Sequence, residues 1–465
     1  MNRAIFRTYD IRGLADTELT DEVVEGIGAS FGAYLGGKGK VAVGGDHRLS
    51  TPRVKRAFQA GLARAGLDSL DVGSVTTPMV YFAAHRYAAE LVGAAAVTAS
   101  HNPPEYNGLK LMKGTAALHG EEIAALADGC AGAPRAARPG RTVSRDIQEE
   151  YLADLANRVR LARPLKVVVD AGNGSAGPVA PVIYRRLGCE VTPLYCEPDG
   201  RFPNHPADPT RLDAVQELTR KVLELRADLG IGFDGDGDRI GVVDDRGRVA
   251  WGDQLMALFY REILARRPGA PCLIEVKCSQ ALVEEVERLG GKPLFTKTGH
   301  SLIKARMKEL SAPFAGEMSG HMFFADEFPG YDDAIYAGAR LLRLVAAGRE
   351  PLSALVDRIP KYHATPELRV GCPDAEKFRV VEAFVATARA EHEILDVDGA
   401  RVLFGDGWGL VRASNTGPHL ILRAEGRSPE IRDRILAYLR DRLSRHAQVD
   451  LSQVDRELGL DPGQA

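Results

Sequence analysis

Residues 94–104 read Ala94-Ala95-Ala96-Val97-Thr98-Ala99-Ser100-His101-Asn102-Pro103-Pro104. The apolar half suits a buried strand, and the two prolines turn Asn102 and Pro103 away from helix. Ser100 is therefore expected on a loop at a strand's end, where open α/β sheets place their ligands. The same pattern recurs along the chain. Three β-branched runs, Lys40-Val41-Ala42-Val43-Gly44, Lys166-Val167-Val168-Val169-Asp170 and Cys272-Leu273-Ile274-Glu275-Val276-Lys277, each end in a small or polar turn followed by a helical stretch. Each is followed by a second strand, at 67–72, 189–195 and 292–296, and later by a strand that runs into a polar loop. Those loops are 98–103, 234–239 and 316–321. Such alternation predicts mainly parallel sheets flanked by helices, with loops at the strand ends able to converge.

The second loop, Asp234-Gly235-Asp236-Gly237-Asp238-Arg239, is legible from geometry. On a straight strand the outer aspartates would stand about 13 Å apart at about 3.3 Å per residue. Oxygens about 2.1 Å from one magnesium ion lie within about 4.2 Å of each other, so the chain has to curl. Gly235 and Gly237 are expected to permit the curl by adopting angles closed to other residues. A calcium loop of the EF-hand type opens in the same way, but Arg239 stands at its position 6 and Asp245 at its position 12, and the apolar run Ile240-Gly241-Val242-Val243 follows at once. A serine loop and a carboxylate loop together look like a nucleophilic serine and the metal site that serves it.

The 465 residues suggest about three domains, and 45% hydrophobic content can build several cores. Sixty basic against 63 acidic residues, a net charge of −3, gives no reason to expect nucleic acid or a membrane as partner. The opening Met1-Asn2-Arg3-Ala4-Ile5-Phe6-Arg7 has no long apolar core, and no apolar stretch is long enough to span a bilayer. Six cysteines lack any C-x-x-C spacing, which favours free thiols in a reducing compartment. A cytoplasmic protein is expected. One motif points elsewhere: Gly172-Asn173-Gly174-Ser175-Ala176-Gly177 follows a strand, and Glu197 lies twenty residues past its last glycine, as in a nicotinamide-dinucleotide site. No hydride-transfer site accompanies it, so an NAD-dependent oxidoreductase is a remote alternative.

Six separated motifs, in order, resemble the α-D-phosphohexomutase family, and within it the bacterial phosphomannomutase/phosphoglucomutase branch. They are Phe6-Arg7-Thr8-Tyr9-Asp10-Ile11-Arg12-Gly13, the serine loop, the aspartate loop, Thr298-Gly299-His300-Ser301, Gly316-Glu317-Met318-Ser319-Gly320-His321 and Arg412-Ala413-Ser414-Asn415-Thr416. The resemblance implies three related mixed or parallel-sheet α/β units and a smaller C-terminal α+β domain around a central cleft. On this sequence the domains would be 1–145 with the phosphoserine loop, 146–248 with the metal loop, 249–360 with the sugar loop and 361–465 with the phosphate loop.

It also implies residue roles. Ser100 would carry the phosphoryl group and bind Mg²⁺ together with Asp234, Asp236 and Asp238. Arg239, Lys110 and Arg12 would surround the moving group, and Lys110, Arg12 and His300 are the candidates for general acid and base. Glu317 and Ser319 would hold sugar hydroxyls, with His321, Lys277 and Tyr9 also facing the ligand. Arg412, Ser414, Asn415 and Thr416 would clamp the remote phosphate, chemistry that suits a guanidinium fork and hydroxyls.

The implied reaction moves phosphate between the 1- and 6-positions of a hexose phosphate. Glucose 1,6-bisphosphate or mannose 1,6-bisphosphate serves as intermediate and activator, in a monomer or small homo-oligomer. Met318 favours mannose or glucose over glucosamine phosphate, and a phosphatase using the same serine is the other alternative. Two positions depart from the family pattern: Gly45, in a structural loop, and Gly417, which either loosens the phosphate clamp or shortens a side chain that makes no contact.

Overall fold

A computed structural model describes residues 2–130, 132, 135–415 and 417–460. The chain divides into two compact units, residues 1–263 with 299–358, and residues 264–298 with 359–465.

The first unit holds two sheets and a hairpin. In the first sheet the strands lie in the order Ile11–Leu14, Tyr106–Lys113, Leu91–Val97, Lys40–Gly45, Asp68–Ser74, Thr142–Ser144. Lys40–Gly45 is parallel to both neighbours and buried almost throughout, which is why it reads as an unbroken apolar run. Val41, Val43, Ala95, Val97, Leu109 and Leu111 meet Ile27, Phe31, Val54 and Phe58 of the covering helices in one core. The second sheet runs Val249–Ala250, Ile240–Asp244, Leu229–Phe233, Lys166–Asp170, Glu190–Leu194.

The alternation predicts mainly parallel pairing and the resemblance implies mixed or parallel sheets; the sheets are mixed, and the antiparallel pairs have a pattern. Tyr106–Lys113 returns antiparallel to Leu91–Val97, Ile240–Asp244 antiparallel to Leu229–Phe233, and Met322–Phe324 antiparallel to Phe314–Gly316. All three chemistry-bearing loops are therefore chain reversals between paired strands. An apolar run following a polar loop carries no mark of its direction, so sequence could not show this.

The second unit contains the parallel pair Pro271–Glu275 and Lys292–Thr296. The first of these strands stops at Glu275, so Lys277 lies in a turn closed by the Cys278 N–H on the Glu275 carbonyl at 2.9 Å. A six-stranded antiparallel sheet follows, centred on Gly407–Ala413 and His419–Gly426, with helices Lys377–Ala388 and Pro429–Leu443 contributing to its core. Among the described residues no helix is long and apolar enough to cross a membrane.

Candidate active site

Ser100 lies three residues past the end of Leu91–Val97 and is 2% exposed. Its hydroxyl donates to Asp234 Oδ2 at 2.7 Å, and His101 Nδ1 lies 3.2 Å from Ser100 Oγ. Burial, and then Arg239 and Arg12, push the His101 pKa well down, so that ring is neutral. Asp234, Asp236 and Asp238 are all 0% exposed, and one oxygen from each lies within 4.8 Å of the others.

The curl is as predicted, but the glycines divide the task. Gly237 has φ +75°, whereas Gly235 is needed for space, because a Cβ there would stand 2.5 Å from the Ser100 carbonyl oxygen. The Gly172–Gly177 turn supports this loop: the Ser175 N–H donates to the Gly235 carbonyl at 2.9 Å, and a Cβ on Gly174 would meet that carbonyl at 2.8 Å. Gly174 and Gly177 serve close backbone packing and Gly172 adopts φ +50°, which explains the dinucleotide-like spacing without a cofactor.

Three buried carboxylates cannot all hold full charge without cations nearby. Burial, with Asp238 and Asp236, pushes Asp234 well above the carboxylate range. Burial pushes Asp238 the same way, but Lys110 and His321 outweigh it and hold Asp238 well below that range. Lys110 bonds to Asp236 Oδ2 at 2.9 Å and to Asp238 Oδ2. Burial would discharge this lysine, yet the two aspartates keep it firmly protonated. Asp236 also accepts from the Thr77 hydroxyl at 2.6 Å, at the first turn of helix Thr77–Arg86. Its other oxygen, Oδ1, is buried with no hydrogen-bond partner among the described residues. An orphaned buried oxygen within a close carboxylate trio fits a divalent cation.

The other loop residues gather around this centre. Arg12 donates to Asn102 Oδ1 at 2.9 Å and to Asp10 at 2.6 Å, which places it against the serine loop. Arg239 Nε lies 3.4 Å from His321 Nε2. His321 joins two of the loops, with Nδ1 2.5 Å from Glu317 Oε2 and Nε2 3.1 Å from Asp238 Oδ1. Burial opposes its charge, but Asp238 prevails and raises its pKa to about 9. Both its nitrogens are thus engaged by carboxylates.

Glu317 Oε1 accepts from the Gly299 N–H at 2.7 Å, and Ser319 is half-buried on the same loop. His300 stands edge-on to Tyr9, with ring centres 5.3 Å apart. It is 4% exposed, neither of its ring nitrogens has a hydrogen-bond partner among the described residues, Nδ1 lies 3.8 Å from Asp332 Oδ2, and burial holds it well below its ordinary pKa.

Lys277, Arg412, Ser414 and Asn415 belong to the second unit, and Thr416 lies outside the described residues. Lys277 pairs with Glu367 at 2.9 Å. Arg412 Nε donates to Asp398 Oδ2 at 2.9 Å, and the same oxygen accepts from the Thr298 N–H at 3.1 Å. Ser414 is 3% exposed and Asn415 half-buried. Buried Lys377 bolts this turn together, donating to the carbonyls of Ser414 at 2.6 Å and Gly417 at 3.0 Å. A Cβ on Gly417 would strike the His419 ring at 2.7 Å, so glycine fits the turn here. Sequence reading missed Lys377, Asp398 and Glu367, none of which stands in a motif.

Fold and site define an α/β protein that presents a serine hydroxyl to a nest of buried carboxylates and cations. Four consecutive stretches match the phosphoglucomutase/phosphomannomutase family: α/β/α domains I, II and III over residues 3–129, 149–247 and 251–362, and the C-terminal domain over 367–442. A phosphomannomutase/phosphoglucomutase of Pseudomonas aeruginosa is 42% identical over 443 residues, covering 95% of both chains. A phosphoglucomutase of Neisseria gonorrhoeae is 42% identical over 446 residues, covering 94% of this chain and 95% of its own. A crystal structure of a phosphoglucomutase/phosphomannomutase family protein from Burkholderia thailandensis superposes with a TM-score of 0.89 at 39% identity, over 96% of this chain and 98% of the other. The chain belongs to the phosphoglucomutase/phosphomannomutase family, with its four-domain α/β architecture of mixed sheets.

Proposed function

We propose that this enzyme interconverts the 1- and 6-phosphates of glucose, mannose or both, through a phosphoserine at Ser100 and a bound 1,6-bisphosphate. The carrying observation is the Ser100 hydroxyl, 2.7 Å from Asp234 at a fully buried carboxylate trio. Phosphoryl transfer depends on positioning and charge neutralisation, and Lys110, Arg239 and Arg12 bring positive charge to that point.

Phosphoserine 100 gives its phosphoryl group to the free hydroxyl of a hexose monophosphate, which loses its proton as the new P–O bond forms. The resulting bisphosphate then returns its other phosphate to Ser100. His300, held well below its ordinary pKa by burial and with Nδ1 3.8 Å from Asp332 Oδ2, is suited to exchanging that proton. Glu317 and Ser319 would bind sugar hydroxyls, while Lys277, Arg412, Ser414, Asn415 and Thr416 would bind the phosphate that is not transferred. Asp234, Asp236 and Asp238, with Ser100, would hold Mg²⁺, whose charge offsets that of the phosphoryl oxygens.

Phosphorus NMR tests this reading. Protein is mixed with Mg²⁺, glucose 1-phosphate and a trace of glucose 1,6-bisphosphate, beside Ser100→Ala. A growing 6-phosphate signal that the variant abolishes is expected, and mannose 1-phosphate in the same assay sets the specificity. Inorganic phosphate alone would mean a phosphatase, and turnover of glucosamine 1-phosphate alone would overturn the hexose assignment.

A further inference from the structure

We propose that Arg48, anchored by Asp46, is the positioning residue that holds Ser100 in its reactive conformation; this rests on Ser100 being the phosphoryl carrier. Ser100 stands at φ +53°, a left-handed backbone that non-glycine residues adopt only when their surroundings impose it. Both sides of the residue are tied. Its N–H donates to Thr98 Oγ1 at 2.8 Å, and the Thr98 hydroxyl donates to Asp46 Oδ2 at 2.7 Å. Its carbonyl accepts from Arg48 Nη2 at 2.7 Å.

The same guanidinium reaches the rest of the loop. Nη2 also donates to the Asn102 carbonyl at 2.6 Å, Nη1 to the carbonyls of Pro103 at 2.6 Å and Tyr106 at 3.2 Å, and Nε to Asp46 Oδ2 at 3.1 Å. A guanidinium carries five N–H donors, and here there are five contacts to meet them. Asp46 is fixed in turn, since its Oδ1 accepts from the Arg48 N–H at 3.0 Å and from the Thr51 hydroxyl at 2.6 Å. Phe202, itself at φ +49°, covers the guanidinium with its ring centre 5.1 Å away.

At 1% exposure Arg48 is too enclosed to meet a sugar phosphate, so it acts through the loop it clasps. One aspartate–arginine pair thus controls both peptide groups of the serine and keeps Oγ aimed at Asp234. Displacing a reacting atom by about 1 Å can lower the rate about 100-fold, so the effect belongs in kcat and not in sugar-phosphate binding.

The test compares Arg48→Lys, Thr98→Val and Ser100→Ala with the parent enzyme, reading kcat, KM, melting temperature and the rate at which phosphoserine passes its phosphate to glucose 1-phosphate. A lysine has three donors for five acceptors, and valine leaves the Ser100 N–H unpaired. Both variants are expected to lose about 100-fold in kcat and in the transfer step, with KM nearly unchanged. Arg340→Lys, at a buried arginine paired with Asp326 and Glu262, is the control and should melt earlier with kcat within about twofold of the parent.

The proposal falls if Arg48→Lys and Thr98→Val keep their kcat, or if Arg340→Lys loses as much as they do. If Arg48→Lys does not fold, Thr98→Val decides. An active Ser100→Ala would instead overturn the underlying phosphoserine reading.

Discussion

One methyl group placed at residue 235 would be felt at the serine. A Cβ there lies 2.5 Å from the Ser100 carbonyl, so Gly235→Ala has to move one loop or the other. We expect kcat to fall about tenfold or more and stability to drop by about 1–3 kcal/mol, the usual cost of overpacking, read by steady-state kinetics and denaturant unfolding. The residues of the candidate site were legible unevenly. Ser100 and the three aspartates stood out because their chemistry is local: a short run of sequence spells both the ligand atoms and the curl. Arg48, Lys377 and Asp398 were silent because what defines them is an acceptor far along the chain, such as the Ser100 carbonyl for Arg48 or the Ser414 carbonyl for Lys377. Even Gly235 was read for the wrong property, since conformation and clearance leave the same letter in the sequence.

Among elements, the helix Thr77–Arg86 shows how a strand-end loop is braced. Thr76 caps it by accepting from the Met79 N–H at 3.3 Å, and Thr77 grips Asp236 twice, through its N–H at 2.9 Å and its hydroxyl at 2.6 Å. Groups that orient a metal ligand commonly change metal affinity 10–100-fold when removed. Thr77→Val should therefore raise the Mg²⁺ concentration for half-maximal activity about tenfold while leaving the fold intact, which a magnesium titration and a melting curve would check. Strands such as Lys40–Gly45 and Lys166–Asp170 were readable from their buried apolar runs. Pairing direction was not, because hydrophobicity does not encode orientation: the returning strands Tyr106–Lys113 and Ile240–Asp244 are mostly buried, like the strands they join, whichever way they run.

At the scale of the whole molecule, the second unit has its own acid sensitivity. Lys277 beside Glu367 lowers that carboxyl from its ordinary 4.5 to about 2. A carboxylate depressed on folding stabilises the native state fully above its unfolded pKa, and that contribution drains away as the pH falls from 4.5 through about 2. Glu367→Gln removes the effect, so the melting-temperature gap between parent and variant should be widest above pH 4.5 and close on acidification toward pH 2. The order of the chain adds a constraint of another kind. Arg401 donates to the carbonyls of Val276 and Cys278, and Arg423 to that of Lys277, so residues 264–298 supply acceptors for guanidiniums that lie beyond residue 358. A growing polypeptide makes those acceptors long before their donors leave the ribosome, and the intervening stretch, 299–358, belongs to the other unit. The second unit therefore closes only when synthesis is nearly over, and a fragment begun at residue 359 would be born with Arg401 and Arg423 stripped of the carbonyls of Val276, Lys277 and Cys278 that they donate to.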